Sequence, residues 1–282
     1  MTGRPELRVF ISVEMEGISG VVHTSQTRRD QPDYAEGRAL MAGDLGAAVE
    51  GALEAGATEV IVADGHAAMR NLRFDQLPEQ VVLVRGSPRP LGQMAGIDAG
   101  CAAALFVGFH ARKGTLRGVL DHTILTRSVD SVVINGEEVG EIAMSAAIAG
   151  RHGVPLVFVS GDLAVTREAE QLVPGIATVA VKEGISRTAA RCLHPRRARE
   201  LIRRGVAEGL ERRGAIAPFT FEPPIEALVR YTNAQMADAV ELMPGAARVD
   251  GRTVRLRLDD YLEAVDAIKA SVLIASAVSG GS

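Results

Sequence analysis

Tryptophan is absent, and three tyrosines and seven phenylalanines leave only 4% of the 282 positions aromatic. A protein that stacks nucleobases on aromatic platforms has little to build with here. Cysteine is equally sparse, for Cys101 and Cys192 stand far apart with no CxxC spacing. That excludes a disulfide framework and a thiolate zinc site, and it suits a reducing compartment. Any metal bound here therefore needs nitrogen and oxygen ligands. No run approaches the roughly 18 consecutive apolar residues that span a bilayer, and the start MTGRPELRVF lacks the apolar stretch of a secretion signal. A cytoplasmic protein with no membrane partner is expected. Excess positive charge is missing too, since 31 basic residues face 35 acidic ones for a net charge of −4. Such a balance offers no general attraction to nucleic acid. Gly108, Gly114 and Gly118 do not make a GxGxxG fingerprint, and neither a GxxxxGK[ST] loop nor a GxSxG elbow occurs.

What is present is an alternation of β-branched runs with Ala-rich stretches, the pattern of a mostly parallel sheet flanked by helices. Strands are expected at 7–13, 59–63, 81–85, 104–108, 131–135, 155–160 and 178–181, nearly all of them continuously apolar. A long helix is expected from Asp33 to Ala55, with Met41, Leu45, Val49 and Leu53 on one face and Gly56 as its stop. At about 150 residues per domain the length allows nearly two. The texture changes near residue 186, where Arg191 to Arg213 carries eight arginines against three acids. The expected division is a metal-binding catalytic α/β domain over 1–185 and a smaller C-terminal α+β subdomain over 186–282. The arginine-rich helix reads as a solvated face or a subunit contact.

In open parallel sheets, chemistry collects beyond the carboxyl ends of the strands. The first strand runs into Glu14 and Glu16, whose spacing points both carboxylates the same way in an extended segment. The second runs into Asp64 and His66, and ALFVG runs into His110. Crowded at one rim, these groups need a balancing cation. Helical spacing puts Glu141 in line with Met144, Ser145 and Ile148, on an apolar stripe where a carboxylate requires a partner or a metal. It could also serve as the acidic start of its helix. His122 follows His110 in a Gly-flanked segment and is a candidate for proton transfer or oxyanion stabilisation. His152 and His194 read as structural or solvated, and little points to His23.

The segments SVEMEGISG, ADGHAAMRN, GFHARKG, VLDHT, INGEEVGEIAM and VKEGISRTAARCL resemble, in order, the zinc-dependent D-aminopeptidases of dipeptide-transport operons. The resemblance spans about residues 7 to 275. It implies an aminopeptidase that uses a metal-activated water on short peptides with an N-terminal D-residue, D-alanine above all. It further implies two Zn²⁺ per subunit and a homo-oligomer, a ring-like decamer. The family's metal ligands fall on Glu14, Glu16, His66, His110 and Glu141, and its catalytic histidine on His122. One position departs, because the family reads aspartate where this chain has Glu14. Its extra methylene must be absorbed by the backbone or by the spacing of the metals. Two alternatives stay open: a hydrolase of another amide, such as a cell-wall fragment or modified peptide, and a metal-bearing relative that binds peptides without cleaving them.

Overall fold

The computed structural model describes residues 7–278; the first six residues of the segment read for a secretion signal lie outside that range. In chain order the elements are β1 (Arg8–Val13), α1 (Tyr34–Glu54), β2 (Glu59–Asp64), β3 (Val81–Val84), β4 (Ala103–Phe109), β5 (Val129–Ile134) and β6 (Glu137–Val139). Then come α2 (Glu141–Arg151), β7 (Leu156–Asp162), α3 (Leu163–Leu172), β8 (Ala177–Ser186), β9 (Ala189–Cys192) and α4 (Pro195–Glu211). The chain ends in β10 (Ile225–Tyr231), α5 (Ala234–Glu241), β11 (Ala247–Arg248), β12 (Thr253–Leu258) and α6 (Tyr261–Val278). No helix among the described residues is long and apolar enough to cross a membrane.

Seven strands form one sheet in the order β3-β2-β1-β4-β7-β8-β9. All pair in parallel except β9, which turns back antiparallel on β8. Every residue of β4 and β7 is buried, as the continuous apolar runs require of strands covered on both faces. The chain fills one side of β1 with β2 and β3, then crosses to its other side with β4. The gap above β1 and β4 is therefore the topological switch point, where an open parallel sheet leaves a crevice at its carboxyl edge.

The second sheet is antiparallel, in the order β11-β12-β10-β5-β6. This corrects the reading of 131–135 with the parallel strands: β5 hydrogen-bonds to β10 and β6 instead. A β-branched run declares that it is a strand without declaring its neighbour. Residue 186 falls at the β8–β9 hairpin of the first sheet, and beyond it α4 packs on α1. The arginines of α4 partly serve that contact, with Arg199 reaching Asp44 at 3.5 Å and Arg203 reaching Glu54 at 2.6 Å.

Candidate metal centre

The segment Glu14–Gly17 leaves the end of β1 and lies directly on the end of β4. The Glu14 amide donates to the Val107 carbonyl at 2.9 Å and the Gly17 amide to the Gly108 carbonyl at 2.8 Å. A side chain at Gly17 has no room, for its Cβ would stand 1.8 Å from the Phe109 oxygen. Gly108 has φ +71°, which L-residues with a side chain seldom adopt, and a Cβ there would lie 2.5 Å from the Glu14 carbonyl oxygen. The carboxylates of β1 and the imidazole of His110 are thus mounted on two segments of backbone locked together.

Lys182 holds the same segment from below. Buried on β8, it donates to the carbonyls of Glu16, Ile18 and Val21. Burial alone pushes its pKa down to about 8, against the pull of Asp162 and other acids. Replacing it by methionine withdraws a donor from three buried carbonyls, at roughly 1–3 kcal/mol for each one left unpaired. Denaturant unfolding of Lys182→Met is expected to show a loss on the order of 3 kcal/mol or more. A variant as stable as the parent would remove this cradle from the account.

The predicted donors come together in two groups, Glu14 with Glu16 and His66, and His110 with His122 and Glu141. Within each, one ligand atom per residue lies within 4.8 Å of the others. In the first, His66 Nδ1 is 3.1 Å from Glu14 Oε2 and 3.2 Å from Glu16 Oε2. In the second, Glu141 Oε1 is 3.5 Å from His110 Nε2 and 3.8 Å from His122 Nε2. Gln93 stands between the groups, its amide 3.5 Å from Glu141 Oε2 and 2.8 Å from the Ser145 hydroxyl. A Cβ on Gly65 would lie 3.1 Å from both the Gln93 amide oxygen and Glu14 Oε1, so Gly65 leaves the room that both side chains share.

All three imidazoles are oriented alike. His66 Nε2 lies 2.9 Å from the Thr27 carbonyl, His110 Nδ1 3.1 Å from that of Ala111, and His122 Nδ1 3.0 Å from that of Leu120. A carbonyl only accepts, so these outer nitrogens carry protons, and the inner nitrogens that face the carboxylates are the ones that become ligand atoms once they lose theirs. This is the orientation that metal-ligating histidines take from their outer partners.

The electrostatics point the same way. Burial pushes the Glu14 carboxyl up to about 8, opposed by its hydrogen bond to His66 and reinforced by the charge of Glu16. Burial also opposes ionisation of Glu16, yet His66, His122 and His110 together hold it well below the usual range. His66 is raised well above its ordinary value, with Glu16 and Glu14 overcoming the cost of burial. His110 is lowered by burial and by His122, whereas His122 is raised by Glu141, Glu16 and Glu14 against its own burial. One buried carboxylate oxygen, Glu16 Oε2, has no hydrogen-bond partner. A divalent cation satisfies that oxygen and relieves the lone-pair repulsion around it, so these residues fit zinc as nitrogen and oxygen donors.

Other predicted positions resolve differently. Glu141 is the first residue of α2, and its Oε1 also accepts the Ile124 amide at 2.8 Å. Asp64 stays out of both groups because its oxygens take the Asn71 amide, the Asn71 side chain and the Leu72 amide at 2.5, 2.8 and 2.9 Å. It shapes the turn that carries His66. His194 caps α4 by accepting the Arg196 amide, His152 sits at the end of α2, and His23 caps a single turn at 24–26. Sequence reasoning missed Gln93, Lys182 and the Thr27 carbonyl. No periodicity or spacing marks them, since each meets the site through the tertiary fold.

The donors open onto a cavity of about 1100 Å³ whose walls include Tyr34, Met144, Val265 and Lys269. Paired donor groups at a sheet crevice beside such a cavity define a candidate metallohydrolase centre. The sequence profile of the peptidase M55 family, described as D-aminopeptidase, matches residues 7–270, and the chain belongs to that family. It is 35% identical over 265 residues to a D-aminopeptidase of Bacillus subtilis strain 168, covering 93% of this chain and 95% of that one. It also matches the structure of the Zn-dependent D-aminopeptidase DppA from Bacillus subtilis, described as a self-compartmentalizing protease, with a TM-score of 0.93 and 33% identity. That match covers 96% of this chain and 98% of the other.

Proposed function

We propose that this protein is a zinc-dependent aminopeptidase that removes an N-terminal D-residue, D-alanine in particular, from short peptides at a two-metal site. The observation that carries the reading is the pair of donor groups at the switch point, each with its inner imidazole nitrogens aimed at the carboxylates by carbonyls behind the rings. Glu14, Glu16 and His66 would hold one ion, and His110 and Glu141 the other. Glu14 would serve both ions. Bound there, zinc would supply a Lewis acid and a water acidic enough to be nucleophilic near neutral pH.

His122 has a different role. Its ring stacks on His110 with centroids 4.0 Å apart and planes 16° from parallel. Nitrogen lone pairs lie in the ring planes, and planes so nearly parallel do not converge on one ion held at about 2.0–2.1 Å from each nitrogen. His122 Nε2 is instead free to give a proton to the amide nitrogen that departs, or to donate to the carbonyl oxygen as it gains charge. Its Nδ1 is held by the Leu120 carbonyl, which fixes which nitrogen acts.

The assembly that fits this reading is a homo-oligomeric ring in the cytoplasm, a decamer that encloses its active sites. Its substrates are short because they must enter the enclosure.

Purified zinc-loaded protein is expected to hydrolyse D-alanyl anilide in strong preference to L-alanyl anilide. A chelator is expected to abolish turnover, and added zinc to restore it. Bound metal with no turnover of any amide would leave a peptide-binding protein. Turnover that survives complete metal removal would discard the metal mechanism.

A further inference from the structure

The cavity beside the metal centre is lined by a lysine whose ammonium makes no hydrogen bond among the described residues. Val265, Lys269, Val272 and Ser276 recur at helical spacing along α6 and turn one face of that helix into the cavity wall. Lys269 is the only charged group in that set. Its Nζ is buried without a hydrogen-bond partner, and its acidic neighbour Asp266 lies 3.9 Å away with a mostly exposed side chain. Burial pulls its pKa below the ordinary lysine value, opposed by Asp266 and reinforced by Arg89.

Of the arginines that line the same cavity, Arg28, Arg29, Arg70 and Arg127 are exposed to water, whereas Arg89 and Arg187 are already engaged. The Arg89 guanidinium donates to the carbonyls of Gly92, Val84, Gly86 and Asp64. Arg187 is bound to Asp121 through both its carboxylate and its carbonyl. The position of Lys269 also places it near the donors. A Cβ on Gly92 would stand 3.2 Å from its Nζ, and the next residue, Gln93, reaches Glu141 with its side chain. The ammonium thus lies against the residue that precedes Gln93, on the wall of the same cavity that the donors line.

An ammonium withdrawn from water with its hydrogen-bonding capacity unused favours an anion. We propose that Lys269 is a specificity-determining residue that captures the carboxylate of the peptide on the leaving-group side of the scissile bond. The inference rests on the aminopeptidase reading above. With the N-terminal residue at the metals, a short peptide would carry its own C-terminus into the cavity that Lys269 lines, so the anchor selects short peptides by that terminus. A longer peptide presents a neutral amide at the same place and leaves the ammonium unpaired, which is the strong form of discrimination.

The test compares D-alanyl-D-alanine with its C-terminal amide, and adds D-alanyl-D-glutamate α-amide, which carries a carboxylate only on its side chain. The zinc-loaded parent is expected to favour the free acid over the amide by about tenfold to a hundredfold in kcat/KM, the worth of one charge-assisted hydrogen bond. The difference should reside in KM. Lys269→Met is expected to bring the ratio of acid to amide toward one, and Lys269→Arg to preserve most of it. Parity between acid and amide in the parent would overturn the proposal. So would an unchanged ratio in Lys269→Met, because damage to the fold lowers both substrates alike. If the glutamate amide alone is favoured, the anchor reads a side chain and the C-terminal assignment falls. Calorimetric binding of the same acid and amide to the zinc-loaded parent separates this question from the aminopeptidase reading. A parent that binds the acid better yet cleaves neither refutes that reading and retains the carboxylate anchor.

Discussion

Replacing His122 by alanine is expected to slow hydrolysis of D-alanyl amides by about a thousandfold, within the range of one positioned proton-transfer group. The zinc content of the variant is expected to equal that of the parent. Both expectations follow from the stacked geometry: His122 lies 4.0 Å over His110 in a nearly parallel plane, so its lone pair does not meet the ion that His110 would hold. It stands 3.8 Å from Glu141, within the same donor group, so the metal content of the variant is the measurement that separates a ligand from a proton donor. Kinetics and metal analysis on one preparation decide the matter. Loss of a metal together with activity would make His122 a ligand; full activity would remove it from the chemistry. His110→Ala, by contrast, should lose metal, since that ring's inner nitrogen faces Glu141 with its other nitrogen tied to the Ala111 carbonyl.

The second large effect comes from a single methyl group. Gly17→Ala sets a Cβ 1.8 Å from the Phe109 oxygen and 2.6 Å from the Gly108 carbon. Both are backbone atoms of the strand end that carries His110, so neither can swing aside as a flexible side chain could. Relief requires the Glu14–Gly17 segment to lift from β4, breaking the amide bond from Gly17 to Gly108 and moving Glu14 and Glu16 away from His110. The expected result is a destabilisation of at least about 4 kcal/mol, in the exceptional class that strained backbone and overpacking produce. Any protein recovered should bind zinc poorly. Gly46→Ala provides the comparison, because nothing lies within 4 Å of the added Cβ in α1. There the change is expected to be neutral or stabilising by up to about 1 kcal/mol. Denaturant midpoints and zinc content for the two variants check the contrast. Equal stability would show that the two segments are not locked as described.

The clustering of the candidate donors was largely legible in the sequence because most of them follow strands. Glu14, Glu16, His66 and His110 each come directly after an apolar run, and a parallel sheet delivers such residues to one edge whatever their separation along the chain. Glu141 was reached by helical periodicity. The structure refines this, placing it at the first position of α2, where the helix terminus favours an acid and the side chain still reaches His110. The helix expected over 33–55 appears as Tyr34–Glu54, with Asp33 and Ala55 flanking it.

Pairing was not legible. The run at 131–135 is as β-branched as those of the parallel sheet, and only the tertiary structure seats it beside β10. Nor were the supporting residues. Lys182 acts across more than 160 positions of sequence on the carbonyls behind Glu16, and a lone lysine in a strand carries no mark of that task. Lys269 looks in sequence like the solvated member of an i,i+3 pair with Asp266, and only the cavity shows its Nζ to be buried and unpartnered. Glutamate at position 14 keeps one oxygen on His66, with its other oxygen beside the space that Gly65 leaves open.

The central claim is that these scattered acids and imidazoles meet around two divalent ions. Anomalous diffraction at the zinc edge from crystals of the zinc-loaded protein tests it directly. The account predicts two peaks per subunit at the carboxyl edge of the parallel sheet, one touching Glu16 and His66, the other His110 and Glu141, with Glu14 touching both. A protein saturated with zinc whose peaks fall elsewhere, with these side chains unbound, would contradict it.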